Sequence, residues 1–81
     1  MPLTLEKGAE GEEVKKIQHW LNDHGYNAGK EDGLFGDKTR AAVIQFQSEK
    51  SILTNGIVNP QTQVVMKRIS KQEWNNLNSE L

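Results

Sequence analysis

Asp32-Gly33-Leu34-Phe35-Gly36-Asp37-Lys38-Thr39 is echoed 23 positions later (56 minus 33) by Asn55-Gly56-Ile57-Val58-Asn59-Pro60-Gln61-Thr62. Each copy supplies a turn residue and a glycine, two apolar residues, a helix-capping position and a threonine. Apolar residues at helical spacing follow each. After the first copy Thr39, Ala42, Val43 and Phe46 share one face of a helix that runs to about Glu49, and the same positions shifted by 23 are Thr62, Val65, Met66 and Ile69. The two helices therefore face one interior. Gly36 or Asp37 caps the first of them. The second starts with stronger signals, Asn59 as a preferred N-cap and Pro60 at N1, where its missing N–H costs nothing and its φ is already helical. It is expected to run to about Ile69.

Upstream, Lys7-Gly8-Ala9-Glu10-Gly11 places two glycines and an acidic residue ahead of an apolar pattern, as a loop leading into a helix does. That helix spans roughly Glu12 to His24, with Val14, Ile17 and Leu21 inward and Glu12, Glu13, Lys15 and Lys16 outward. Gly25 reads as a left-handed residue after the helix end, and Tyr26 as the residue that packs back on its last turn. From Asn27 to Gly36 the chain reads as one long ordered loop held by Leu34 and Phe35. Ser70-Lys71-Gln72-Glu73 has capping-box spacing with Ile69 and Trp74 placed as a staple, so Ser70 to Leu81 is either a short fourth helix with Trp74, Leu77 and Leu81 as its stripe or the start of a linker.

The chain has 81 residues, 35% hydrophobic and 26% charged, which fits one globular domain near the small end of what a hydrophobic core alone can hold. Ten basic against eleven acidic side chains give a net charge of −1, so the long-range attraction used by nucleic-acid and anionic-membrane binders is missing. Neither nucleic acid nor membrane is expected as a partner. With no cysteine, disulfides, thiolate metal sites and thiol nucleophiles are excluded together. The start of the chain has no signal-peptide pattern, and no apolar run approaches the roughly 20 residues that span a bilayer. Synthesis in the cytoplasm is the expectation.

The residues do not assemble into a catalytic centre. His19 and His24 lie on different faces of their helix and no zinc-binding motif accompanies them. The carboxylates Glu10, Glu12, Glu13, Glu31, Asp32 and Asp37 are numerous enough for a glycosidase pair, but such a pair needs two groups facing across a cleft. No Ser or Thr has a His base with an orienting third group. Asp32-Gly33 lacks the alternate ligands of a calcium loop and reads as a turn brace. No metal and no cofactor are expected. Trp20 lies one position off the core stripe and reads as a rim residue, with a stacking platform for a sugar as the alternative.

Leu5, Gly8, Gly11, Val14, Ile17-Gln18, Leu21, Gly25-Tyr26, Asp32-Gly33, Phe35-Gly36, Thr39, Ala42-Val43, Phe46-Gln47, Gly56, Val58 and Thr62, in that order, resemble the peptidoglycan-binding domain family over roughly residues 3 to 69. The resemblance implies an all-α, compact three-helix bundle with long ordered loops over residues 1–69, followed by 70–81 as short helix or linker. It implies a monomeric, non-catalytic module that binds bacterial peptidoglycan and targets an attached or associated cell-wall lytic enzyme, as in amidases, muramidases and bacteriophage endolysins, acting at the bacterial cell wall. Ligand-binding residues carried over are Tyr26, Asp32, Gly33, Phe35, Gly36, Asp37 and Arg40, with main-chain amides of the Asp32–Gly36 loop holding the ligand. One departure stands out. Relatives end the second helix with glycine where this chain has Lys50-Ser51-Ile52-Leu53, so its turn must close without one. Two readings from other classes remain: a prodomain-like or regulatory unit whose partner is protein, and a helix-turn-helix DNA binder using Gln61, Gln63, Lys67 and Arg68.

Overall fold

The computed structural model describes residues 4–79, with side chains described for 4–74. Its elements are α1 (Glu12–Asp23), α2 (Asp37–Glu49) and α3 (Pro60–Ser79), an all-α arrangement around one core. Val14 and Leu21 of α1, Thr39, Ala42, Val43 and Phe46 of α2, and Thr62 and Met66 of α3 are buried, with Ile17, Val65 and Ile69 packed at the margin. Phe46 sits at the centre, meeting Trp20 edge-on at 5.3 Å and Tyr26 edge-on at 5.5 Å. Trp20 is thus a rim residue, half-buried.

The N-terminal stretch ties the two repeated corners together. Leu5 exchanges both backbone hydrogen bonds with Val58 of the second corner, at 3.0 and 2.8 Å. A few residues on, Gly8 and Gly11 donate to Phe35 O and Gly33 O of the first corner, while Phe35 N donates to Ala9 O. Phe35 and Val58, equivalent in the repeat, both point into the core at 3% and 0% exposure. Gly33 must be glycine twice over: its φ is +78°, and a Cβ there would lie 2.9 Å from Gly11 O.

Two expectations are corrected. Leu34, expected to anchor the loop, is exposed, and Phe35 alone does that work. No separate fourth helix starts at Ser70, because α3 continues unbroken to Ser79. Ser70 Oγ accepts from Trp20 Nε1 at 2.8 Å, so the hydroxyl is committed to α1 instead of a cap. Trp74, expected on an apolar stripe, is exposed. The Leu77 side chain and Leu81 lie outside the described residues.

Both α1 and α2 close with the same hydrogen-bonded turn. Gly25 N donates to Asn22 O and Tyr26 N to Leu21 O after α1; Ser51 N donates to Ser48 O and Ile52 N to Gln47 O after α2. The left-handed residue is Gly25 in the first case, as expected, and Ser51 at φ 56° in the second. Ser51 is the one non-glycine with positive φ among the described residues. A side chain in that region costs about 1 kcal/mol, so Ser51→Gly should stabilise the domain by about that amount, raising the thermal midpoint by roughly 4–8 °C in a calorimetric scan. A midpoint equal to or below that of the parent would show the strain to be absent.

Candidate functional site

Each corner is built on a glutamine that the helix before it sends into the interior. Gln18 is 1% exposed and Gln47 0%. Gln18 Nε2 donates to Leu34 O (2.9 Å), Thr39 Oγ1 (3.1 Å) and Asp32 Oδ1 (3.2 Å), while its Oε1 accepts from Gly33 N at 2.9 Å. Gln47 Nε2 donates to Ile57 O (2.9 Å), Thr62 Oγ1 (3.0 Å) and Asn55 Oδ1 (3.3 Å), while its Oε1 accepts from Gly56 N at 2.9 Å and Asn55 N at 3.1 Å. The partners are the same residues of the repeat, moved by 23. In both copies the residue before glycine braces the turn: Asp32 Oδ1 accepts from Leu34 N and Asn55 Oδ1 from Ile57 N.

Around the first corner the chain leaves an open cleft of about 430 Å³. Gln18 and Thr39 form its floor, Gly29 and Gly36 its backbone walls, and Lys30, Asp32, Leu34, Asp37 and Lys38 its mouth. Asn22 of α1 fixes the loop that forms one wall, accepting from Ala28 N at 2.8 Å and donating to Gly29 O at 2.9 Å. Thr39 Oγ1 donates in turn to Ala28 O. The stem of Lys38 lies against Gly29, where a Cβ would come within 3.1 Å.

The electrostatics of the mouth are mixed. The Leu34 N–H, then the Gln18 amide, hold the Asp32 carboxyl below the usual carboxylate range. Lys7, 2.7 Å away, does the same to Asp37. Among the described residues neither Lys30 nor Lys38 is engaged in an ion pair. The cleft therefore presents two cations and two carboxylates within one small, preformed concavity, flanked by the exposed apolar side chain of Leu34. It suits a short polar chain carrying charges of both signs.

Of the residues expected to bind ligand, Asp32, Gly36 and Asp37 come together at this cleft. The others do not line it. Gly33 and Phe35 are buried scaffold. Tyr26 is buried, with its hydroxyl donating to Glu49 Oε1 at 3.1 Å, and burial followed by that carboxylate pushes its pKa up. Arg40 is exposed on α2, its stem covering Gly56 of the second corner. The loop amides are also spoken for: Gly33, Leu34 and Phe35 donate to Gln18 Oε1, Asp32 Oδ1 and Ala9 O. Lys30, Leu34 and Lys38 also line the cleft and were not among the residues carried over from the resemblance. Gln18 and Gln47 appeared only as members of the matched pattern, with no role assigned, although each lies four residues after a core valine, Val14 and Val43, where a polar residue is out of pattern.

Comparison with known proteins bears on this arrangement. A family model for the peptidoglycan binding domain matches residues 10–66. The spore cortex-lytic enzyme of Bacillus cereus is 30% identical over 75 residues, covering 93% of this chain and 29% of that protein. Among solved structures, a peptidoglycan-binding protein from Clostridioides difficile aligns with a TM-score of 0.79 at 39% identity, over 83% of this chain and 42% of that one. A Burkholderia phage endolysin aligns at 0.75 and 31%, over 79% and 24%. This chain therefore spans less than half of each of these proteins.

The duplicated geometry makes two substitutions informative. Gln18→Leu would strand the Gly33 N–H and the Leu34 carbonyl and should cost about 3 kcal/mol, read as a lowered urea midpoint. Asp32→Asn copies the second corner and should keep near-parental stability at neutral pH. Because the Asp32 carboxyl titrates lower when folded than its ordinary 3.8, its stabilisation is present above that value and fades as pH falls through the folded one. The Asn variant should lose that part of the acid sensitivity, and an unchanged acid profile would rule the contribution out.

Proposed function

The chain belongs to the peptidoglycan-binding domain family, and from that membership we propose that it binds bacterial peptidoglycan without cleaving it. The observation that carries this reading is the family match over residues 10–66, which takes in both glutamine-held corners and the cleft beside the first. In this reading the cleft holds a segment of the stem peptide. Lys30 and Lys38 meet its carboxylates, Asp32 and Asp37 its amides and ammonium groups, and Leu34 packs against its aliphatic portions. The glycan, neutral along most of its length, makes less use of such a mouth.

Binding of this kind serves by raising the local concentration of a lytic domain at an insoluble substrate, and two of the relatives named above, the spore cortex-lytic enzyme and the phage endolysin, are lytic proteins by name. A phage-endolysin setting, with action at the bacterial wall, is the finer form of the proposal and is supported by the Burkholderia phage neighbour. Affinity per module should be modest, since the cleft is open and small.

Sedimentation with purified sacculi is the test. The domain should pellet with sacculi, and Lys38→Glu and Leu34→Asp, both at exposed positions, should each weaken retention by about tenfold, or 1.4 kcal/mol, while melting like the parent. If the parent stays in the supernatant where an established wall binder pellets, the binding function fails. If the parent pellets and both variants pellet equally well, binding stands and the cleft is the wrong place.

A further inference from the structure

A second cluster, away from the cleft, joins the end of α1 to the second half of α3. His24, the residue capping α1, stacks on Trp20 with ring centroids 3.8 Å apart and planes 19° from parallel. Its Nδ1 lies 2.7 Å from Trp20 O, and its Nε2 lies 2.8 Å from Glu73 Oε1 of α3. One turn back on α3, Ser70 Oγ accepts from Trp20 Nε1 at 2.8 Å. The imidazole side chain is only 16% exposed.

Both ring nitrogens therefore face groups that can only accept. A backbone carbonyl has no proton to give, and at neutral pH neither has a carboxylate. A neutral imidazole carries a single N–H and would leave one short contact between two lone pairs. The imidazolium satisfies both, and its charge is further favoured by the indole face beneath it. The charged groups acting on His24 are Glu73 from α3 and Asp23 from its own helix, both anionic, while α2 meets the stacked Trp20 through the uncharged Phe46 ring. We infer that His24 is an imidazolium clasp that holds α3 beyond residue 69 against α1, so that docking of this helical extension is coupled to the uptake of one proton.

Burial pulls the His24 pKa down, but the Glu73 hydrogen bond and the Trp20 carbonyl outweigh it, and the balance is a rise above 6.5. A value raised in the folded state means the clasp contributes fully below the unfolded pKa and lets go as pH climbs through the folded one. The clasp is thus expected to be fully fastened below the ordinary imidazole value of 6.5 and to loosen as pH rises above it through the folded value. The cluster shares no residue with the cleft, so the inference does not depend on what the cleft binds.

The test is an NMR titration of the imidazole nitrogens in the whole chain, with the urea-unfolded chain as reference. The expected result is a His24 whose two nitrogens are both protonated below a pKa that lies above the unfolded value, and a lower pKa in Glu73→Gln. Amide exchange at a fixed neutral pH should be faster in that variant over residues 70–79 and unchanged over 60–66. His24→Gln, which keeps a donor and an acceptor without a charge, should remove the alkaline loss of protection in the same segment. A His24 pKa at or below the unfolded value, or one that Glu73→Gln does not move, overturns the clasp.

Discussion

Two primary amides buried in an otherwise apolar interior decide what this chain can fold into. Taking such a group out of water without partners costs roughly 2–7 kcal/mol, a large fraction of what a domain of this size can hold in reserve. Gln18 and Gln47 avoid that cost only when a glycine corner brings one amide N–H and one carbonyl to each of them, with a threonine hydroxyl from the next helix alongside. The glutamine reads the corner. A corner slipped by one residue would present the wrong groups and leave the amide stranded, so the polar bonds set the register while the apolar side chains supply the drive. Among the described residues no buried side-chain nitrogen or oxygen is without a partner.

The two corners share this scheme and differ in what covers them. At the second, the Arg40 stem and Ile44 close over Gly56, so that even a Cβ would not fit. At the first, the backbone of Gly11 takes that place on one side, and on the other the wall formed by Ala28, Gly29 and Lys30 stands off and leaves the cleft. The longer connection ahead of the first corner makes that wall available. Asp32 lies 14 positions after Gln18, but Asn55 only 8 after Gln47. The extra chain needs its own fastening, and Asn22 supplies it. A duplicated structural device has thus been opened at one copy and sealed at the other.

The helices and their inward faces were legible in the sequence because they rest on periodicity, and the repeat doubled the signal: Thr39, Ala42, Val43 and Phe46 predicted Thr62, Val65, Met66 and Ile69, and all eight face the core or its margin. The caps at Asn59 and Gly25 were legible because their chemistry is local. What long-range contacts decide was not. Gln18 and Gln47 are polar residues in apolar stripes, and pattern reading passes over them because their partners lie 8 to 21 residues away. The end of α3 went wrong for a related reason. Ser70 and Glu73 have capping-box spacing, yet Trp20 and His24 take both side chains, and a helix with neighbours at Ser70 has no cause to restart there. At the cleft, Asp32 and Asp37 had been named from the resemblance, while Lys30 and Lys38 follow no pattern and join them only when the loop folds back along α2.

The same constraint bears on how the cleft can act. With the Gly33, Leu34 and Phe35 amides spent inside the corner and Asn22 holding the opposite wall, the backbone around the cleft has little freedom to adjust. A ligand held there would meet a fixed frame. Recognition of that kind loses little entropy in the protein on binding but gains few contacts, which gives shallow selectivity among similar polar peptides and modest strength at each encounter. Were the module to act as proposed on a polymer that repeats the same chemistry, that balance would be an advantage: a lytic domain attached to it would be kept close by rapid rebinding to the next repeat and not pinned to a single site.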